Sequence, residues 1–310
     1  MKILFVCSGN SGNASPFVKE QAGQLQSAGV DVSIFLIKGK GATGYLRNLS
    51  ALRSAIQSFK PDVVHAHGGM SALLAVLQRM VPVVVTFHGS DVNVPGLRRF
   101  ARLSMLLTSK QIVVSQQMKR LLNVQRLYVI PCAVDPSIFQ PMDAASCRQR
   151  LNWSPDEFVV LFSSSFDRPV KNAPLAQQAV ANIAHRNVRM VELKNKSREE
   201  VAVLLNACDV ALMTSHSEGS PQFIKEAMAC GTPIVSTRVG DVPELIEHMP
   251  GHYLVGYDAR LIGEAIEQAA QYRREHKYTG GREILEKRGL FPPQIVKALL
   301  EVYASCLKVR

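Results

Sequence analysis

Apolar runs of strand length alternate with stretches of helical periodicity from the first residue onward. Positions 2–7 read as a strand, after which Ser15 and Pro16 open a helix whose Phe17, Val18, Ala22 and Leu25 share one face and which Gly29 ends. Strands follow over 30–36, 62–67 and 83–87, separated by helices over 45–59 (Leu46, Leu49, Leu52 and Ile56 in register) and 70–80. The rhythm breaks over 131–151 and resumes with strands at 158–162, 188–193, 209–213, 233–237 and 253–255, with helical stretches at 198–207, 221–230 and 242–247 between them. Such alternation predicts an α/β fold of two Rossmann-like, doubly wound parallel domains. The break places the domains at 1–150 and 151–292, with the closing helix 293–310 packing back on the first.

Composition narrows the class. The chain has 310 residues, is 47% hydrophobic and 20% charged, and carries a net charge of +11, which excludes an acidic disordered protein and suits two domains. Its six cysteines include no Cys-x-x-Cys, and most sit in apolar stretches, so a disulfide framework or zinc knuckle is not expected. The amino-terminal apolar run is too short for a signal-peptide core, and the longest apolar tract, 73–87, is broken by Gln78, Arg79 and Pro82. A cytoplasmic protein follows as the expectation.

The segment 217–233, SEGSPQFIKEAMACGTP, follows a strand and opens a helix. Ser220 reads as its cap, Pro221 as its first residue and Gly231 as its exit, leaving Glu218 in the loop and Glu226 on the helix, four residues beyond Gln222 on the same face. Exposed amides at Ser220–Gln222 and the positive end of the helix suit an anion such as a diphosphate.

Glu218 and Glu226, with seven residues between them and AMACGTPIVST after, resemble the Glu-x7-Glu motif of the family 4 retaining glycosyltransferases. The stretches PDVVHAH at 61–67, TFHGSD at 86–91, IPCAVD at 130–135 and GDVPEL at 240–245 are similar to further landmarks of that family, in the same order. The resemblance implies a GT-B architecture, two domains facing a central cleft, and transfer of a hexose from a UDP- or GDP-linked nucleotide-sugar to an acceptor hydroxyl in cell-surface glycan or glycolipid synthesis. The nucleotide-sugar is a substrate, and no cofactor or metal is implied. By the same resemblance Glu218 meets the donor sugar, Glu226 the ribose, and His88 the anomeric centre.

In the loop SSSFDRPVKN at 163–172, Lys171 matches the family lysine, whereas Phe166 stands where the family has an arginine. Arg168 is the nearby cation that could replace it; an ordinary exposed arginine is the alternative. Gly12 matches one of two glycines in the family's first loop, and Asn13 replaces the other. A dinucleotide fingerprint is absent, and Lys38 stands where an acid would hold a ribose, so NAD is not expected. His65 and His67 point to one side of a strand, but no third ligand follows at zinc spacing, and His185 and His216 read as surface or loop residues.

No acidic residue lies between Asp91 and Asp135, an interval holding seven lysines and arginines. A basic amphipathic helix in this 98–126 region suits an anionic inner membrane face or a lipid-linked acceptor, and a solvated basic face suits it equally. Nucleic acid is not expected, because aromatic residues are not interleaved with the charges. A base pocket is expected near 193–196. Two other readings stay open: a nucleotide-sugar epimerase or hydrolase, and a non-catalytic partner of a glycosyltransferase, both of the same fold.

Overall fold

The computed structural model describes residues 1–184 and 187–307; His185 lies outside the described residues. The chain divides into two compact units, each built on its own parallel sheet.

The first unit carries β1 (Lys2–Ser8), β2 (Asp31–Ile37), β3 (Val63–His67), β4 (Val83–Phe87), β5 (Lys110–Val113) and β6 (Tyr128–Val129), in the order β2-β1-β3-β4-β5-β6. The strands read as near-continuous apolar runs because helices cover both faces of the sheet. Ile3 and Phe5 of β1 face one core with Val18, Leu25 and Leu299, while Leu4 and Val6 face the opposite core with Leu52, Ile56 and Leu74. The closing helix Pro292–Leu307 belongs to this unit and buries Ile295, Leu299 and Tyr303 against Phe5 and Val84.

The second unit carries β7 (Phe158–Phe162), β8 (Val188–Glu192), β9 (Val210–Met213), β10 (Ile234–Thr237) and β11 (His252–Val255), in the order β11-β10-β9-β7-β8. Val159 and Leu161 pack with Ile224, Ala227 and Leu205 on one face; Val160 and Phe162 pack with Ala176, Ile262 and Ile266 on the other.

The division falls between Ala133 and Val134, not at 150. Val134 and Phe139 are buried in the second unit's core, and the helix Ala144–Arg150 is tied to it by Arg148, which pairs with Asp209 at 2.7 Å. Asn206 holds the same stretch, accepting from the Met142 amide at 2.7 Å and donating to the Gln140 carbonyl at 3.1 Å. The helix expected over 45–59 is two, Gly41–Leu46 and Leu49–Phe59, separated at Asn48, whose side chain bonds the Lys38 and Gly44 backbone instead.

In each unit the second strand pairs with one side of the first and the third with the other. The order therefore reverses at β1/β3 and at β7/β9, and the loops leaving the carboxyl ends of those strands are where open α/β sheets bind ligands. Among the described residues no helix is long and apolar enough to cross a membrane. All six cysteines are free thiols, and burial pushes Cys7 up to about 11 and Cys208 up to about 12.

One stability prediction arises in β11. Both ring nitrogens of His252 are buried without a hydrogen-bond partner, and burial lowers its pKa to about 4. Between the ordinary histidine value near 6.5 and about 4, the unfolded chain takes a proton that the folded chain refuses. Stability is therefore lost as pH falls through that window, by about 1.4 kcal/mol per pH unit from this residue. Urea unfolding of His252→Leu at pH 7 and pH 5 should show a pH slope smaller by up to one proton than that of the unaltered chain.

Candidate active site

In the second unit the loops after β7 and β9 are bound together. The Thr214 hydroxyl donates to the carbonyls of Lys171 and Asn172 at 3.0 and 2.9 Å, and the His216 amide donates to the Val170 carbonyl at 2.9 Å. Asn172 takes a left-handed turn (φ 56°) that lets the helix Ala173–Ala181 start at once. These ties bring Lys171 to Glu218: Nζ donates to Oε1 at 2.6 Å, with the side chains 14% and 15% exposed. An ammonium has three donors and a carboxylate about four acceptor positions. The pair therefore leaves each group chemistry to offer an anion and a hydroxyl, respectively.

Gly240 fixes the Glu218 loop from below. Its φ is +58°, and a Cβ there would lie 2.9 Å from the Gly219 carbonyl oxygen and 3.2 Å from that of Glu218. Ser220 does not cap the helix, as local spacing suggested. The helix runs Gln222–Cys230 with Pro221 at its N-cap, and the Ser220 hydroxyl donates instead to Asp241 Oδ2 at 2.6 Å. Pro221 has no N–H, so the first-turn donors are the amides around it and not its own. Gly231, at φ +71°, ends the helix as expected. Burial raises the Asp241 carboxyl to about 6, against the opposing pull of the fully buried Lys225 and of Ser220.

Glu226 is almost wholly buried and accepts from Arg198 at 2.5 Å. Arg198 opens the helix Arg198–Ala207, beneath the Ser197/Glu200 capping box, and its guanidinium lies 4.7 Å from the centre of the Phe139 ring. Sequence reasoning missed Arg198, because its partner is 28 residues away. The 193–196 stretch leads directly into this helix, and the Leu193 amide is held by the Ser164 carbonyl at 3.1 Å.

Arg168 is exposed and makes no ion pair among the described residues. Phe166 leans on Phe162 with ring centres 5.4 Å apart, and its amide donates to Glu192 at 2.7 Å. The position at which the resemblance expects an arginine is thus taken by a side chain packed on the core. His216 is exposed.

In the first unit His88 stands just past the end of β4. Asp91 fixes its backbone, accepting from the His88 amide at 3.2 Å and from the Gly69 amide at 3.0 Å. Burial raises the Asp91 carboxyl, partly offset by those amides. The His88 ring packs on Phe17 (4.5 Å between centres), and its Nε2 lies 3.0 Å from His67 Nδ1. His65 is bonded at both nitrogens, to Tyr303 and to Thr86, and among the described residues no three His, Cys, Asp or Glu side chains form a metal-binding group. Gly12 is exposed, at φ +90°, with open space where a Cβ would go. The crowded glycine of that loop is Gly9, where a Cβ would meet Leu36 Cβ at 2.8 Å.

Two family models match the chain: Glycosyltransferase Family 4 over residues 15–138 and Glycosyl transferases group 1 over residues 167–271. A D-inositol 3-phosphate glycosyltransferase of Mycobacterium marinum is 25% identical over 256 residues, 66% of this chain and 55% of that protein. The chain thus spans a little over half the length of that relative. Among solved structures, sucrose-phosphate synthase from Thermosynechococcus elongatus superposes with a TM-score of 0.83 at 17% identity, covering 100% of both chains. HepE of Anabaena in complex with UDP-glucose gives 0.75 at 18% identity, covering 98% of this chain and 100% of that one. At these identities the structures establish the fold, which is that of GT-B glycosyltransferases.

Proposed function

We propose that this chain, which matches the Glycosyltransferase Family 4 model over 15–138 and the Glycosyl transferases group 1 model over 167–271, is a GT4-type glycosyltransferase that transfers a hexose from a nucleotide-sugar to an acceptor hydroxyl with retention of configuration. The observation that carries this reading is the Lys171–Glu218 pair at the β7/β9 reversal, with the Glu226–Arg198 pair on the helix that follows. Lys171 and the amides beside Pro221 hold the diphosphate, Glu218 accepts from hydroxyls of the sugar, and Glu226 accepts from the ribose. The resemblance assigns His88, and Gly12 in the first loop, to the sugar and the acceptor. As the bond to the anomeric carbon breaks, negative charge grows on the leaving diphosphate, and the fixed Lys171 cation stabilises it. The acceptor attacks from the face the diphosphate vacates, and that phosphate takes its proton, so no side-chain nucleophile is needed. Arg168 sits on the same loop and adds a second cation only by reaching inward.

UDP is the nucleotide we favour, since the structurally similar HepE binds UDP-glucose. Thermal-shift measurements with UDP-, GDP- and their glucose conjugates test this. A ligand at 100 times its Kd stabilises by about 2.7 kcal/mol, and the upward shift is expected with UDP compounds. No shift with any of the four would overturn the reading. A second reading, a donor-binding partner without turnover, is favoured by Phe166 alone; binding without release of UDP under any acceptor would select it.

We further place a lipid-linked acceptor at an anionic membrane. The helix Pro95–Leu107 exposes Leu103, Leu106 and Leu107, the second of them 82%, and Leu107 lines one hollow with Leu77 and Met80. Arg99 and Arg102 are exposed on the same helix. Leucines to enter the acyl boundary beside arginines to meet the headgroups make an interfacial helix. Co-sedimentation with phosphatidylglycerol vesicles is expected, and is lost in Leu103→Ser/Leu106→Ser; equal recovery with neutral vesicles would contradict the charge argument.

A further inference from the structure

We propose that His67 is a positioning residue for His88, holding that ring in one tautomer with Nε2 as acceptor and the proton on Nδ1. Its importance for transfer rests on the reading that His88 faces the donor sugar. Alternation along β3 puts His65 and His67 on one side, and their rings stack with centres 4.5 Å apart. The His67 and His88 rings are 5.3 Å apart, and the 3.0 Å contact between His67 Nδ1 and His88 Nε2 is a hydrogen bond that needs one proton between two nitrogens.

Burial holds the His67 pKa well below the ordinary value, and a proton on His65 or His88 would act in the same direction, so His67 is neutral and has one proton to place. Its Nε2 is buried with no hydrogen-bond partner, and a proton there would be a donor with nothing to receive it. On Nδ1 the same proton is donated to His88. With Nε2 accepting, the His88 ring proton sits on Nδ1, the nitrogen 3.9 Å from Cys132 Sγ.

What keeps His67 in place comes from the other end of the chain. Tyr303, fully buried on the closing helix, lies 2.7 Å from His65 Nδ1, and Thr86 Oγ1 lies 2.7 Å from His65 Nε2. A phenol is the stronger donor of the two hydroxyls, so Tyr303 donates to Nδ1 and His65 donates from Nε2 to Thr86. His65, clamped at both nitrogens, is a fixed plate against which His67 stacks. Thr86 is also the β4 residue paired with His67 across the sheet, two positions before His88.

The test is a nitrogen spectrum of the imidazole rings in the full chain grown with isotope-labelled histidine, together with turnover of a UDP-sugar. The unaltered chain should show His88 with a pyridine-type Nε2 and a protonated Nδ1. In His67→Leu that pattern should average between tautomers, and kcat should fall on the order of 10²-fold with KM little changed, as for a misplaced reacting group. His67→Asn supplies an amide donor from nearly the same place and should restore both. A protonated Nε2 or an averaged pattern in the unaltered chain would overturn the proposal, even if every variant failed to fold. A pattern as expected, combined with unchanged turnover in His88→Ala, would leave the positioning intact and remove the reading that His88 faces the sugar.

Discussion

Lys171→Ala is expected to lower turnover of the nucleotide-sugar by on the order of 10²- to 10³-fold while the fold survives. Thr214 and His216 hold the backbone of 170–172, so removing the ammonium changes the charge in the site and not the course of the chain. The lost cation is one whose contribution grows as the diphosphate departs, so the effect falls on kcat more than on KM. Glu218→Gln should also lower kcat, and the double variant should lose less than the sum, because the two groups touch at 2.6 Å. Release of nucleoside diphosphate, followed with each variant, checks the prediction; turnover unchanged in both single variants would remove the assignment.

The second large effect is on stability and binding together. Glu226→Leu removes the carboxylate to which Arg198 donates, in a place where the glutamate side chain is 3% exposed and the arginine 25%. Breaking such a pair from one side destabilises by about 3 kcal/mol, near the lower end of the buried range because Arg198 keeps some water. For a unit of this size a melting temperature lower by about 6–12 °C follows. Loss of the ribose acceptor should at the same time weaken nucleotide binding at least tenfold. Arg198→Met/Glu226→Leu, with both charges gone, should recover much of the melting temperature but not the binding, which separates the structural role from the recognition role.

The strands were readable because both sheets are covered on two faces: ILFVC in β1 and FVVLF in β7 leave no polar alternation to confuse. Glu218, Glu226 and Lys171 stood out through their resemblance to a family motif, and the fold brings Lys171 to Glu218 at 2.6 Å. What escaped notice was decided at long range. The 134–150 stretch looks like a polar linker until Phe139 and Asn206 are seen to hold it in the second unit. Ser220 has the local look of a cap, but Asp241, 21 residues on, takes its hydroxyl. Lys225 falls on a helix where a lysine would be assigned to solvent, and it is fully buried facing the Asp241 charge. His65 and Tyr303 are 238 residues apart, and nothing in the chain's periodicity joins them.

On the proposed function, the loops after β7 and β9, with the helix that follows, hold a nucleoside diphosphate. Calorimetric titration of UDP into the unaltered chain, Lys171→Ala and Glu226→Leu, at a temperature where all three are folded, addresses it most directly. Saturable binding at one site is expected in the first, and affinity lower by tenfold or more in each of the others. Equal affinity across the three would contradict it.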